Sequence, residues 1–475
     1  MSFSFLTTYG FVMSIDLSLD RLQKVILHLP VYTRPTCHIA GTNGKGSVTA
    51  ILSSILLSAS PPLKVGRYNS PHLISLTDSI TINHEPVDPE LYSSVRALVQ
   101  RVDDKLATRL SSFELLTLTA LHIFEQIRVD VAVVEVGMGG SLDATNIIPD
   151  QAILVSALTN VDLDHQAFLG DTVQAIAREK TEIARFGKPF VLGSQNHPEV
   201  VDVVKAVLLE KESILEPLLV VHRVNNPAEM SRVSLRTVPF QPPQENRVCF
   251  HLPTFNETIT AILPLHGAYQ IENLATALSV VSVLLVKANP LQSMLLDRIS
   301  PLTVKRGIEN VNWRGRLSFH TISVPRPLTV LVDGAHNPAS AKTLYDYVKW
   351  IVAQSTDETV DVVYIIALSH SPSKNPSDIL SPLLSHDRIR LHIALLDFSP
   401  PDGMPWVKPV APTELAKVVR DLIPDIDHWV ADPARIPGTQ LSDAIAWAAE
   451  RVDESGLVVV AGSLYLVADF YRTYA

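Results

Sequence analysis

Short β-branched apolar runs alternate along the chain with stretches whose apolar residues recur every three or four positions, the signature of βαβ units and a parallel sheet. "PTCHIA" (35–40) reads as a strand, and in "SVTAILSSILLSA" Val48, Ile51, Leu52, Ile55 and Leu56 fall at helical spacing. Further strands are expected at 129–137, 152–159 and 189–194, apolar on both faces as in a sheet covered by helices. Residues 213–262 lose the alternation and read as a β-rich excursion, followed by a long helix over 270–288. Its most apolar part, "LATALSVVSVLLVKA", is shorter than the ~20 residues of a membrane span and reads as a buried helix. "KRGIENVNWRGR" (305–316) looks like a joint before a second α/β run, which carries "LTVLVDGAHNPASAKTLYDYV", "VDVVYIIALS", "IRLHIALLDF" and "GLVVVAGSLYLVADFY". The pattern therefore predicts two α/β domains meeting near 305–315, with no internal repeat.

Composition narrows the class of protein. A chain of 475 residues corresponds to roughly two to four domains. With 47 % hydrophobic and 19 % charged residues it has material for a large core. A formal charge of -10 without a basic run argues against nucleic acid as a partner, but leaves room for an anionic small molecule in a local cationic pocket. Cys37 and Cys249 cannot make a disulfide framework and show no zinc-type spacing, which fits a reducing compartment. No basic residue precedes Arg21, which argues against a signal or transit peptide, and Met13 offers an alternative start. A cytoplasmic monomer with no membrane partner is the expectation, with a mitochondrial pool as a second location.

The candidate chemistry begins at "HIAGTNGKGSV" (38–48), a glycine-rich turn between the predicted strand and helix. It departs from G-x-x-x-x-G-K-[ST], because Ile39 stands where the first glycine belongs and Gly46 intervenes before Ser47. Converging backbone N–H groups and a helix N-terminus nevertheless suit phosphate, with Lys45 reaching the outer phosphates and Ser47 or Thr49 facing a metal. Glu135 ends a buried strand, where a carboxylate suits Mg²⁺ or caps the next loop. Asp162, Asp164 and His165 follow another strand as metal or substrate ligands, or as a self-bonded turn.

In "DTVQAIAREKTEIARFG", Asp171 and Gln174 have capping-box spacing and Gly187 can end the helix. Lys180 lies on the apolar stripe of Val173, Ile176, Ala177, Ile183 and Ala184. The helix alone favours a snorkelling lysine. The alternative is a desolvated amine of lowered pKa, able to take up CO₂ as a carbamate. In the second half, Arg316 can contact phosphate and Asp333 a ribose hydroxyl. His336 and Asn337 precede Pro338, which suits a first helical position. No G-x-S-x-G elbow or paired-cysteine site is present.

Taken together, "HIAGTNGKGSV", "NSPHL", "FELLT", "VVEVGMGGSLDATN", "DHQAFLG", "IAREK", "HGAYQIEN", "WRGRL" and "DGAHNP" resemble, in order, the dihydrofolate synthase and folylpolyglutamate synthase family of Mur-ligase-like ATP-dependent amide ligases. "TDSITI" and "GMPWV" look like the fungal dihydrofolate synthases. The resemblance implies a P-loop ATPase domain with a parallel-rich sheet (1–310) and a C-terminal Rossmann-like domain (311–475), with the site between them. It also implies site roles. Thr42, Asn43, Gly44, Lys45, Gly46 and Ser47 hold the ATP phosphates, and Asn273, Arg316, Asp333 and His336 the nucleotide. Ser70, Glu135 and His165 ligate Mg²⁺, with Lys180 carbamylated, and Lys45, Lys180 and His165 act in catalysis. His72 and Phe113 meet the pterin-bearing substrate. Three departures stand out, since the family usually has Arg at Ser141, Ala-Gly at Thr181-Glu182 and Pro at Arg314; Ser141 is expected to weaken an ion pair and Glu182 to alter the surroundings of Lys180.

The implied reaction joins L-glutamate to a carboxylate through an acyl phosphate, with ATP cleaved to ADP and phosphate. Dihydropteroate is the expected acceptor, because Glu114 follows Phe113 where polyglutamate-type enzymes of eukaryotes tend to carry a basic residue. Addition of glutamate to a reduced folate, tetrahydrofolate, is the alternative, and a P-loop nucleotide switch without ligase activity the remoter one.

Overall fold

The computed structural model describes residues 2–6, 12–16, 18–224, 246–323, 326–355, 358–370, 375–384, 388–452 and 456–475. Two sheets organise the chain. The first has eight strands, in the order Ile214–Glu216, Pro189–Leu192, Ile153–Leu158, Thr36–Ala40, Val131–Glu135, Val65–Tyr68, Ile80–Ile82 and Glu85–Pro86. All neighbours are parallel except the last two pairs. Its central strands are buried along their whole length, so both faces must be covered by helices. The Lys45–Leu57 and Tyr269–Val286 helices pack together on one face, and Ser112–Ile127 covers the other. Tyr269–Val286 has the length and composition to cross a membrane, but thirteen of its residues are buried in this core.

The second sheet has six strands, in the order Ser318–Ser323, Pro327–Val332, Leu457–Ala461, Val360–Ile366, Ile389–Leu395 and Asp427–Val430, parallel except for the first. Ser318–Ser323 and Asp427–Val430 were not apparent in the sequence pattern; both are edge strands of mixed exposure, so they lack a continuous apolar run. Part of the 213–262 excursion behaves differently from the rest. Ile214–Glu216 extends the first sheet, whereas Val221–Arg223, Arg247–His251 and Thr258–Ile262 form a separate antiparallel sheet; residues 225–245 lie outside the described residues.

The carboxyl ends of both parallel sheets turn toward one cleft. There, residues of the first half meet the Trp313–Ser318 segment and the last helix, Leu464–Tyr474. Leu73 and Ile74 of the first half pack into the core of the second.

Candidate active site

The buried Thr36–Ala40 strand delivers the glycine loop to the sheet edge, and the Lys45–Leu57 helix starts immediately after it. Gly44 caps this helix at φ +95°, a left-handed conformation, and a Cβ there would lie 2.3 Å from Asn273 Oδ1. No side chain caps the helix, so its first N–H groups are open to an anion. Thr42 and Asn43 fix the loop: Thr42 N donates to Asn160 O (2.8 Å), and Asn43 O accepts from Thr159 Oγ1 (2.7 Å). Gly46 explains the departure from the common pattern, because a Cβ at this position would lie 2.5 Å from Trp313 Cζ2. The Lys45 ammonium donates to Gly41 O (3.1 Å) and Thr42 O (3.3 Å) and stands 3.9 Å from Glu135 Oε1.

Glu135 is buried at the end of its strand. Burial pushes its carboxyl above the usual range, against the pull of Lys45, a hydrogen bond from Asn69, and the charges of Arg316 and Arg67. Asn69 Nδ2 donates to Glu135 Oε2 (2.6 Å) and to Thr49 Oγ1 (2.7 Å), while Thr49 Oγ1 donates to Gly46 O (2.9 Å). Thr49 is thereby committed to the helix turn and to Asn69. Ser47 Oγ accepts from Gln270 Nε2 (3.2 Å), whose Oε1 accepts from Asn273 Nδ2 (2.9 Å). Sequence reasoning missed Asn69, Gln270 and Trp313, although Asn69 directly precedes Ser70 and Gln270 lies one helical turn before Asn273.

Ser70 is half-buried in the loop after Asn69. His165 adopts a left-handed backbone at the start of the Gln166–Leu169 turn of helix, with its ring 3.9 Å from an Asp164 carboxylate oxygen. Among the described residues no three His, Cys, Asp or Glu side chains gather as a metal cage. Of the three predicted donors, the buried Glu135 carboxylate stands beside the anion-ready helix N-terminus, through Lys45, while the Ser70 hydroxyl and the His165 imidazole lie on the loops after their strands. They fit a hard cation such as Mg²⁺, which shares its sphere with phosphate oxygens and water.

Lys180 does not snorkel. It is 3 % exposed, on the buried face of a helix that also buries Val173, Ile176 and Ala177. Burial pushes its amine down to about 7, aided by the Lys45 charge and opposed by Asp164, Asp143 and Glu179. The tertiary packing on this face leaves its stem no path to water. The helix also starts one residue later than its spacing implied: Thr172, not Asp171, is the cap, accepting from Ala175 N (3.2 Å), and the helix stops at Thr181, well before Gly187. Glu182 is turned away from Lys180 and pairs with Lys211 at 2.9 Å. The neighbouring carboxylate that does act on Lys180 is Glu179, which accepts from Ser141 N (3.1 Å) and Ser141 Oγ (2.7 Å). Ser141 thus substitutes a short hydrogen-bonded clamp for the ion pair an arginine would make.

The second half supplies the remaining groups. Arg316 carries its charge to both Glu135 and Asp333. Asp333 is buried, accepting from Leu317 N and Ala335 N (each 2.8 Å), and burial pushes its carboxyl up against the pull of Arg316. His336 Nδ1 lies 2.8 Å from Gly334 O, and Asn337 caps the Pro338–Gln354 helix. Arg314 lies over the Tyr471 ring (5.6 Å).

Across the cleft, His72 is buried with Nε2 unpartnered, its imidazole pushed down by burial, against the charges of Asp402 and Asp78. Its loop is held from the far side: Arg472 donates to Ile74 O (2.8 Å) and to Asp469 Oδ1 (2.8 Å), and Asp469 Oδ2 accepts from Ser399 N (2.7 Å). Phe113 stacks on Tyr68 (6.4 Å) and closes on Gly137, just after Glu135. Glu114 is spent on a capping box with Ser111 and an ion pair with Arg21 (3.1 Å), so it fixes the start of Phe113's helix and does not line the cleft.

The chain is similar over its length to known proteins. Residues 316–473 match the family described as dihydrofolate synthetase, C-terminal domain. The chain is 32 % identical to a dihydrofolate synthetase of Saccharomyces cerevisiae, across 97 % of this chain and 99 % of that one. It is equally similar, with the same coverage, to a probable dihydrofolate synthetase of Schizosaccharomyces pombe. Among solved structures, Escherichia coli FolC in complex with DHPP and ADP superimposes with a TM-score of 0.73 at 25 % identity, over 96 % of this chain and 93 % of that one.

Proposed function

Because the chain belongs to the dihydrofolate synthetase family, we propose that it is an ATP-dependent ligase that joins L-glutamate to 7,8-dihydropteroate, giving dihydrofolate, ADP and phosphate. The observation that carries the reading is the convergence of Lys45 and Arg316, from opposite halves of the chain, on the buried Glu135 beside an uncapped helix N-terminus.

The chemistry follows from the poverty of a carboxylate as an acyl donor. A carboxylate oxygen of dihydropteroate attacks the γ-phosphorus of ATP, the bond to the bridging oxygen breaks, and ADP departs. The uncharged amine of glutamate then attacks the acyl phosphate through a tetrahedral intermediate, orthophosphate leaves, and the amine proton is lost. Lys45 and Arg316 neutralise charge on the transferring phosphoryl group, while the loop from Thr42 to Ser47 orients it. Asn273, Asp333 and His336 hold the nucleotide, and His72 and Phe113 the pteroate. Glu135, Ser70 and His165, with Lys180 as a carbamate, would hold Mg²⁺, which would supply further neutralisation of phosphate charge. Asn69 and Thr49 keep the Glu135 carboxylate pointed into the site. Closure of the second half excludes water from the acyl phosphate.

Addition of glutamate to tetrahydrofolate uses the same machinery. The full-length similarity to two fungal chains named dihydrofolate synthetase favours dihydropteroate. Purified protein, ATP and labelled glutamate are assayed with each acceptor in turn. Turnover with dihydropteroate at least tenfold above tetrahydrofolate is expected; a preference for tetrahydrofolate overturns the acceptor, and no glutamate-dependent phosphate release with either overturns the ligase reading.

A further inference from the structure

A second polar cluster lies one helical turn beneath the contact between Thr49 and Asn69. Arg67 stands two residues before Asn69 on the Val65–Tyr68 strand and pairs with Thr81 on the neighbouring strand. The Lys45–Leu57 helix runs back along the sheet, as a βαβ crossover must. Ser53, four residues beyond Thr49, has advanced about 6 Å along the helix, and Arg67 about 6.6 Å along the strand, so the two come level. Ser79, whose carbonyl accepts Asn69 N–H, borders the same face.

All four side chains are buried: Ser53 is 1 % exposed, Arg67 8 %, Ser79 1 % and Thr81 5 %. Yet Ser53 Oγ, Arg67 Nε and Nη1, Ser79 Oγ and Thr81 Oγ1 all lack a hydrogen-bond partner. The guanidinium has the Trp313 ring 5.1 Å from its centre, and the same indole presses on Gly46 of the glycine loop. Burial pushes the Arg67 group down to about 10, and Glu135, the carboxylate that acts on it, is already bonded to Asn69 and faces Lys45.

Interiors do not keep a cation and three hydroxyls unsatisfied side by side without a ligand, because each carries a desolvation cost that only a partner offsets. Water would answer the hydroxyls but bring no second anion to the guanidinium, whose one acting carboxylate, Glu135, is already shared with Asn69 and Lys45. An oxyanion answers both, accepting from the guanidinium and from each hydroxyl.

We propose that Arg67, Ser53, Ser79 and Thr81 form a binding site for one tetrahedral oxyanion of the phosphate class, roofed by Trp313 and separated from the glycine loop by its indole. The chemistry has two sources, free orthophosphate and the terminal phosphoryl group of a nucleotide. Orthophosphate is the product that the ligase reaction described above releases at the adjacent loop, so the choice of source rests on that reading, while the existence of the site does not.

The test is calorimetric titration of the full chain, saturated with ADP, with inorganic phosphate, alongside the KM for ATP. Removing a charge-assisted contact in Arg67→Met weakens phosphate binding about 10- to 100-fold. If phosphate binding falls and the KM for ATP holds, the source is the free anion; if the KM for ATP rises by that factor instead, it is the nucleotide. Phosphate binding and KM both unchanged, with a raised melting temperature, overturn the site, since the arginine was then merely a buried charge. Phosphate binding abolished by Lys45→Ala but intact in Arg67→Met also overturns it, by assigning the anion to the glycine loop. Should Arg67→Met not fold, Ser53→Ala with Thr81→Val carries the same readout, with an expected loss of about tenfold. The phosphate titrations require no turnover, so a chain inactive toward dihydropteroate still shows whether the site exists, and only the choice of source uses the KM for ATP.

Discussion

Lys45 and Lys180 carry the same side chain, and the charge of the first acts on the second, yet the chain surrounds them in opposite ways. Lys45 sits at a helix N-terminus, tied to two carbonyl oxygens of its own loop and facing a carboxylate. Lys180 is buried, and its amine is pushed down to about 7. The first environment holds a cation ready for phosphate. The second favours a neutral amine near physiological pH, the form that reacts with CO₂. A short polar loop and an apolar helix stripe thus convert one residue type into two reagents.

Lys45→Ala tests the first half of that comparison and carries the largest expected effect. Loss of an electrostatic contact to the transferring group lowers kcat about 10²- to 10³-fold, with the fold retained by circular dichroism. Near-normal turnover would sink the assignment of the loop to ATP.

Lys180→Met tests the second half. Activity falls by about tenfold or more, and a ¹³C carbamate resonance present in the ¹³CO₂-treated parent is absent from the variant. In CO₂-free buffer the variant is also the more stable protein below pH 7, where the parent lysine is charged in both states and its burial penalty is complete. From about pH 7 to the ordinary lysine range the unfolded chain retains a proton that the folded one has lost, so the parent gains stability as pH rises and the gap closes. Parallel stability curves across that range contradict a desolvated amine.

Arg472→Ala has the smallest expected effect, because it touches neither lysine and only frees the loop bearing Ser70 and His72 from the last helix. The KM for the pteroate acceptor rises about three- to tenfold, the worth of one charge-assisted hydrogen bond, while the KM for ATP holds. Equal changes in both constants point to general loosening between the halves.

Much of this was legible before any coordinates. The central strands are apolar on both faces, and the glycine loop interrupts that pattern between a strand and a helix. The loop and its surroundings stood out because their residue types announce their chemistry. What escaped was set by contacts distant in sequence. The stripe put Lys180 on the right face but could not show that packing closes its route to water. Asn69 acquires its role from Glu135 and Thr49, and Gln270 from Ser47. Arg67 looks like an ordinary strand residue until Trp313, from the other half of the chain, is laid over it.

The gap left by the missing side chain of Gly46 is filled by the edge of the Trp313 indole. The two positions are therefore sterically coupled. A lineage that places even a methyl group at 46 has to surrender the tryptophan, and one that shrinks the tryptophan opens a hole that a bulkier residue at 46 can fill. Substitutions at these sites should be found together or not at all, so that the glycine that breaks the common phosphate-loop rule is a record of what the far end of the chain contributes.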